Sequence, residues 1–182
     1  VHAPPHSSAK HILEEIAERV AEEAQRTGKD LVTIAESDLN DPRMIAATHR
    51  HGLGMDAQWL DDVHHAAHTA FTGETQGYYG DFASLHALEK TMHTAYFHNG
   101  TYSTFRGRSH GREIDPVEQR PYQFVTFLQN HDQVGNRAAG DRMNQSMSVD
   151  RAIAAATWLL AQPFTPMLFM GCLLYTSPSP RD

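Results

Sequence analysis

The chain holds a single cysteine, Cys172, which excludes an internal disulfide and any zinc site built from paired CxxC motifs. No run approaches the ~20 consecutive apolar residues that cross a bilayer, so no membrane partner is expected. Basic residues are in the minority, with 15 Lys and Arg against 22 Asp and Glu and a formal net charge of −7. Surfaces that track phosphates need the opposite balance, and no nucleic-acid partner is expected. A glycine-rich phosphate loop is also missing, since Gly52-Leu53-Gly54 lacks the third glycine and a strand before it. No internal repeat and no basic-plus-apolar signal segment after Val1 are visible. With collagenous, coiled-coil and disordered classes set aside by the mixed composition, a globular domain or part of one remains. The abundant residue is histidine, 13 in 182.

Hydrophobic patterning alternates strand and helix. Ser7 and Ser8 precede Ile12, Leu13, Ile16 and Val20 at helical spacing, and Gly28 closes that helix. Leu31–Ala35 is a short β-branched run of the kind buried in a parallel sheet, and Met55–Trp59 is a weaker one. Val63–Phe71 reads as a helix. Asp81 is expected to cap another, with Phe82, Leu85, Leu88, Met92 and Tyr96 on one face. Residues 98–120 read as a long loop. Tyr122–Leu128 is the clearest strand, Ser148 caps a helix through Leu160, and Met167–Met170 is a last strand. The expected fold class is α/β with a parallel sheet.

Polar, reactive residues follow the strands directly: Glu36-Ser37-Asp38, Asp61-Asp62 and Asn130-His131-Asp132. Both (β/α)₈ barrels and open doubly wound sheets build their sites there. Glu36 closes an apolar strand, where a partly desolvated carboxyl suits general acid work; the alternative is an ion pair with Arg43. Asp132 beside His131 could stabilise an oxocarbenium-like transition state, or Asn130 and Asp132 could cap a turn. Trp59 beside Asp61 and Asp62 suits a sugar, whose apolar face stacks on indole while its hydroxyls meet carboxylates. His64 and His68 share a helix face, so a metal-dependent hydrolase using Asp61, His64, His65 and His68 is a competing reading. His6, His49, His51, His86, His93, His98 and His110 are expected at the surface.

Ile34-Ala35-Glu36-Ser37-Asp38-Leu39-Asn40-Asp41-Pro42-Arg43 resembles the general-acid segment of the α-amylase family of glycoside hydrolases. Phe127-Leu128-Gln129-Asn130-His131-Asp132-Gln133-Val134-Gly135-Asn136-Arg137 resembles that family's segment with the stabilising aspartate. Asp56–Trp59, Asp61–His65, Gly77–Phe82 and Pro163–Gly171 are similar to its trehalose-releasing branch, and the resemblance runs from residue 1 to about 171.

The resemblance implies a partial (β/α)₈ (TIM) barrel, roughly the C-terminal half, over residues 1–171, with 172–182 a non-native or flexible tail. Half a barrel leaves two open sheet edges. Val1-His2-Ala3 is similar to the residues just after the family's nucleophile, so the resemblance places that aspartate two positions before Val1 and implies an inactive fragment. It implies Glu36 as general acid/base and Asp132 as transition-state stabiliser. His131, Asn130, Trp59, Asp61, Asp62, Tyr78 and Tyr79 are the implied sugar contacts. The implied substrate is maltooligosyltrehalose or a related α-glucan, in the cytoplasm, with no metal and no organic cofactor. A glycogen-branching enzyme and a non-catalytic glucan-binding module are the alternatives.

Overall fold

In a computed structural model, which describes residues 10–170, four short parallel strands form one sheet: β1 (Ile34–Ala35), β2 (Ala57–Trp59), β5 (Phe124–Thr126) and β6 (Thr165–Pro166). Their spatial order is their chain order, with Ile34 opposite Ala57, Gln58 opposite Phe124 and Val125 opposite Thr165. A doubly wound sheet reverses direction at a switch point, whereas a barrel adds each strand beyond the last. The unidirectional order makes this an α/β fold of the partial-barrel kind, with β1 and β6 at its edges. The expected cap at Ser7 and Ser8, the match at residues 1–3, and Cys172 with the 172–182 tail lie outside the described residues.

The strands are shorter than their apolar runs. Residues 31–33 lie outside β1, and the last strand ends before Met167–Met170. Only the inner strand β5 is buried throughout, at 1%, 3% and 0% exposure for Phe124, Val125 and Thr126. A strand covered on both sides needs that apolar character. Pro166 is tolerated because β6 is an edge.

The helices are α1 (Ile12–Thr27), α2 (Asp61–Thr72), α3 (Leu85–Thr94), α4 (His131–Gly135) and α5 (Val149–Leu160). His11 caps α1, its ring accepting from Leu13 N–H, and Gly28 ends it at φ +67°. Ser148 caps α5 as its sequence implies. The helix α3 departs from expectation. Residues Gly77–Phe82 form a 3₁₀ turn, so Asp81 and Phe82 precede the helix and Ser84 is its cap. The interruption rotates the buried face to Ala87 and Thr91, leaving Leu85 74% exposed.

The expected loop at 98–120 contains an antiparallel hairpin, β3 (Thr101–Ser103) with β4 (Arg108–His110). Asp81 fastens it by accepting from Ser103 Oγ at 3.0 Å and Thr104 N–H at 2.9 Å. At its base Gly111 has φ +75°, and a Cβ there would stand 1.8 Å from the His98 carbonyl oxygen, so no other residue fits. The packing buries His98 and His110, which were expected at the surface; no apolar periodicity marks them because the hairpin, not a helix or long strand, covers them.

One core cluster gathers Leu60, Val63, Tyr96, Phe124 and Phe164; another joins Ala67, Leu128, Met143, Ala155 and Leu159. Each large side chain so buried contributes roughly 1.5–3 kcal/mol. Together they fix α2 and α5 against the strand ends.

Candidate active site

Glu36 follows β1 at once, and its side chain is 39% exposed, so the desolvation expected at that strand end is absent. The Arg43 alternative is also not realised. Arg43 binds Asp41 in bidentate fashion, with Nε and Nη2 at 2.9 and 2.6 Å from Oδ2. Glu36 instead faces His131, with Oε1 at 3.7 Å from Nε2. Asp132 Oδ1 lies 3.4 Å from the same nitrogen. Two carboxylates from segments nearly a hundred residues apart thus converge on one imidazole. Trp59, between them at the end of β2, lays its ring 5.7 Å from that of His131 and edge-on to Phe127 at 5.4 Å.

Of the two readings of Asn130-His131-Asp132, the structure realises the capping one, through Asn130. Asn130 is buried and caps α4, its Oδ1 accepting from Asp132 N–H at 2.8 Å. Gln133 Oε1 accepts from Asn130 N–H at 2.8 Å, completing a capping box. The cap spends Asn130 on orientation and leaves the Asp132 carboxyl exposed.

A cleft beside these groups is walled by Asp61, His65 and Tyr78 on one side and by Asp38, Phe105 and Arg106 on the other, with Asp132, Gln133 and Asn136 closing it. Arg106 Nη2 donates to Asp38 Oδ2 at 2.6 Å, and His110 Nε2–H donates to the Asp38 carbonyl at 2.8 Å. Tyr78 packs on His65 at 4.6 Å and meets Phe105 edge-on at 5.8 Å. Asp38, Phe105, Arg106 and Asn136 were not singled out from sequence. The hairpin carries Phe105 and Arg106, and no periodicity in that segment announced it.

The desolvated carboxyl is Asp61. Burial first, then the neighbouring charges of Asp38, Asp62, Asp132 and Glu36, push it up to about 7. His65 beside it is held down at about 3, by burial and then by His68 and Arg106. Asp62 is pushed up to about 6 by burial, against the two donors that it accepts: His98 N–H and Asn40 Nδ2, both at 2.8 Å. Asp62, Tyr79 and Asn130, expected as sugar contacts, are therefore buried and engaged by protein groups. Trp59, Asp61, Tyr78 and His131 keep accessible surface.

The histidines of α2 are also engaged. His64 Nδ1 lies 2.7 Å from the Leu128 carbonyl, its Nε2 lies 3.2 Å from the Tyr79 hydroxyl, and His68 Nε2 lies 2.5 Å from Glu74. Those bonds occupy both ring nitrogens of His64 and Nε2 of His68. Among the described residues, the group with ligand atoms close enough to hold a cation is Glu36, His131 and Asp132, within 4.8 Å of one another. No described helix is long and apolar enough to cross a membrane.

No family model matches the chain. Over 172 residues, 94% of its length, it is 55% identical to a malto-oligosyltrehalose trehalohydrolase from Arthrobacter ramosus, of which it covers 30%. It is 43% identical over 171 residues to a protein of the same name from Saccharolobus solfataricus, covering 29% of it. A solved structure, that of a putative alpha amylase from Salmonella typhimurium, superimposes with a TM-score of 0.80 at 37% identity, over 91% of this chain and 28% of that one. The chain spans about three-tenths of the length of the curated relatives it matches. In sequence this chain is similar to about three-tenths of proteins named malto-oligosyltrehalose trehalohydrolase, and in fold to 28% of a putative alpha amylase.

Proposed function

We propose that this chain carries the acid/base and stabilising side of a retaining glycoside hydrolase. Its whole protein would cleave the α-1,4-glucosidic bond next to the terminal trehalose of maltooligosyltrehalose and release trehalose. The observation that supports this reading best is the meeting of Glu36 and Asp132 at His131, with the Trp59 indole beside them.

Retaining hydrolysis needs two carboxyls ~5–5.5 Å apart across the scissile bond, one acting as acid and then base, the other as nucleophile. Glu36 is assigned the first role. Its exposure gives it access to the leaving oxygen, and in the second half it takes a proton from the attacking water. The nucleophile is assigned to another carboxylate of the whole protein; this chain spans about three-tenths of the length of its relatives. Asp132 is assigned the developing positive charge of the sugar ring, with His131 donating to a ring hydroxyl. Asp61, half in its acid form near neutral pH, can donate as well as accept toward a hydroxyl, while Trp59 and Tyr78 offer flat apolar faces. The scheme calls for no metal or organic cofactor. We place the reaction in the cytoplasm, where stored glucan supplies its substrate.

The test is product analysis with the complete protein on trehalose-ended and plain maltooligosaccharides. Trehalose release from the former supports the reading. Branched products would replace it with a glycogen-branching activity, and binding without any turnover would leave a glucan-binding module.

A further inference from the structure

The buried histidine layer of α2 has no place in the scheme above. The chemistry of its bonds fixes its proton positions. The Leu128 carbonyl can only accept, so His64 Nδ1 carries the proton and donates to it at 2.7 Å. Nε2 is then the acceptor for the Tyr79 hydroxyl at 3.2 Å. His64 is fully buried and lies flat on Phe127, with ring centroids 5.3 Å apart at 23°. Burial, followed by His65 and His68, holds it neutral, so this arrangement does not change across physiological pH.

The layer continues away from the sheet. Tyr79 stacks on His68 at 4.3 Å and 17°, and His68 Nε2–H donates to Glu74 Oε2 at 2.5 Å. Glu74 in turn receives Arg137 in a two-pronged contact, at 3.0 and 2.9 Å, while Arg137 Nε donates to Asp141 at 2.7 Å. Leu128 lies four residues before Asp132 and Arg137 five residues after it. One continuous set of contacts from α2 and the turn after it therefore grips the Asp132 segment at its entry and at its exit.

We propose that His64 and the Glu74–Arg137 pair are positioning residues for Asp132, joined through Tyr79 and His68 into a two-ended clamp that sets where its carboxylate stands in the cleft. The inference rests on the hydrolase reading for its kinetic consequence, though its geometric consequence stands apart from it. A side chain that stabilises a transition state must be held to a fraction of an ångström, and misplacement by about 1 Å can cost on the order of 10²-fold in rate. Asp132 itself is exposed, with the α4 cap on its N–H and the His131 ring 3.4 Å from its carboxylate as its local contacts, so its placement depends on how its flanks are anchored.

The experiment compares His64→Ala, His64→Asn and Arg137→Ala in the complete protein, with Ile45→Ala as a control that weakens the other core cluster, which does not include Leu128. The amide nitrogen of Asn can take the place of Nδ1–H. Expected is a fall in kcat of about 10- to 100-fold in His64→Ala and Arg137→Ala with KM within about twofold, and recovery of most of the loss in His64→Asn. Equal loss in Ile45→Ala at matched melting temperature, or a loss confined to KM, would overturn the clamp. If the unmodified protein releases no trehalose, the hydrolase reading fails by itself. The clamp is then decided by amide hydrogen exchange at residues 132–136, which should quicken in His64→Ala and Arg137→Ala and not in Ile45→Ala; unchanged exchange refutes it.

Discussion

The two strand ends that supply the proposed acid and the proposed stabiliser are built in opposite ways. After β1 the chain leaves Glu36 exposed, and the contact described for its carboxyl is the His131 ring, at 3.7 Å. After β5 the chain is buried through Asn130, turns under a capping box, and presents Asp132 from a segment gripped on both flanks. A group that must give a proton and later take one gains from room to move and from contact with water. A group that acts only through its charge gains from being immobile. The same residue class, placed at the same end of the same sheet, is thus tuned by its backbone rather than by its own chemistry.

Substitutions should separate the two ends. Glu36→Gln in the complete protein is expected to lower turnover by about 10³- to 10⁴-fold while oligosaccharide binding persists, measured by kcat and by calorimetry. Near-normal turnover would remove Glu36 from the acid role. Asp132→Asn should cost on the order of 10²- to 10³-fold in kcat with no rescue by an external acid or base, since it moves no proton. A smaller effect comes from Asn130→Ala, which removes the cap and costs about 1 kcal/mol of stability. It should lower kcat roughly tenfold while leaving Glu36 untouched, so the pH limb belonging to the acid should not move.

The smallest expected effect is thermodynamic and distinguishes the cleft from the clamp. Asp61 is raised to about 7 from an ordinary 3.8, so the folded state holds the extra proton, and its contribution to stability declines as pH rises from about 4 to about 7. Glu74, held down at about 2 chiefly by Arg137, has the opposite sign: its contribution is present above about 4.5 and is lost as pH falls toward 2. Melting curves of Asp61→Asn and Glu74→Gln against the parent should therefore change in separate windows, between about pH 4 and 7 for the first and between about 2 and 4.5 for the second. Coincident windows would contradict these assignments.

Much of this was legible in the sequence because order and chemistry coincide there. The β-branched run before Glu36 and the aromatic run before Asn130 mark two of the four strands, and Ser148 and Gly28 mark helix ends by their own capping chemistry. The 3₁₀ turn at 77–82 was not legible. A face that includes Phe82 and Leu85 is continuous only if the helix is, and Asp81 looks like a cap until Ser103 and Thr104 arrive to claim it. Nor did composition distinguish the desolvated carboxyl. Glu36 and Asp61 both follow strands, and only the packing of Asp38, His65 and Arg106 around the second shows which is shielded. The histidines of α2 lie at helical spacing that fits ligands and hydrogen-bond partners alike; the Leu128 carbonyl, 64 residues away, decides between them.

The hairpin over the cleft is fastened through its backbone at its base and only through side chains at its tip. Gly111 against the His98 carbonyl and Asp81 against Ser103 admit almost no substitution, whereas at the tip Phe105 is 58% exposed beside Tyr78 and Arg106 reaches Asp38. Such a loop behaves as a replaceable cassette. Its tip can change in length or composition without disturbing the sheet, so this wall of the cleft can acquire a new shape, and with it a new preference among sugars, at little risk to the fold.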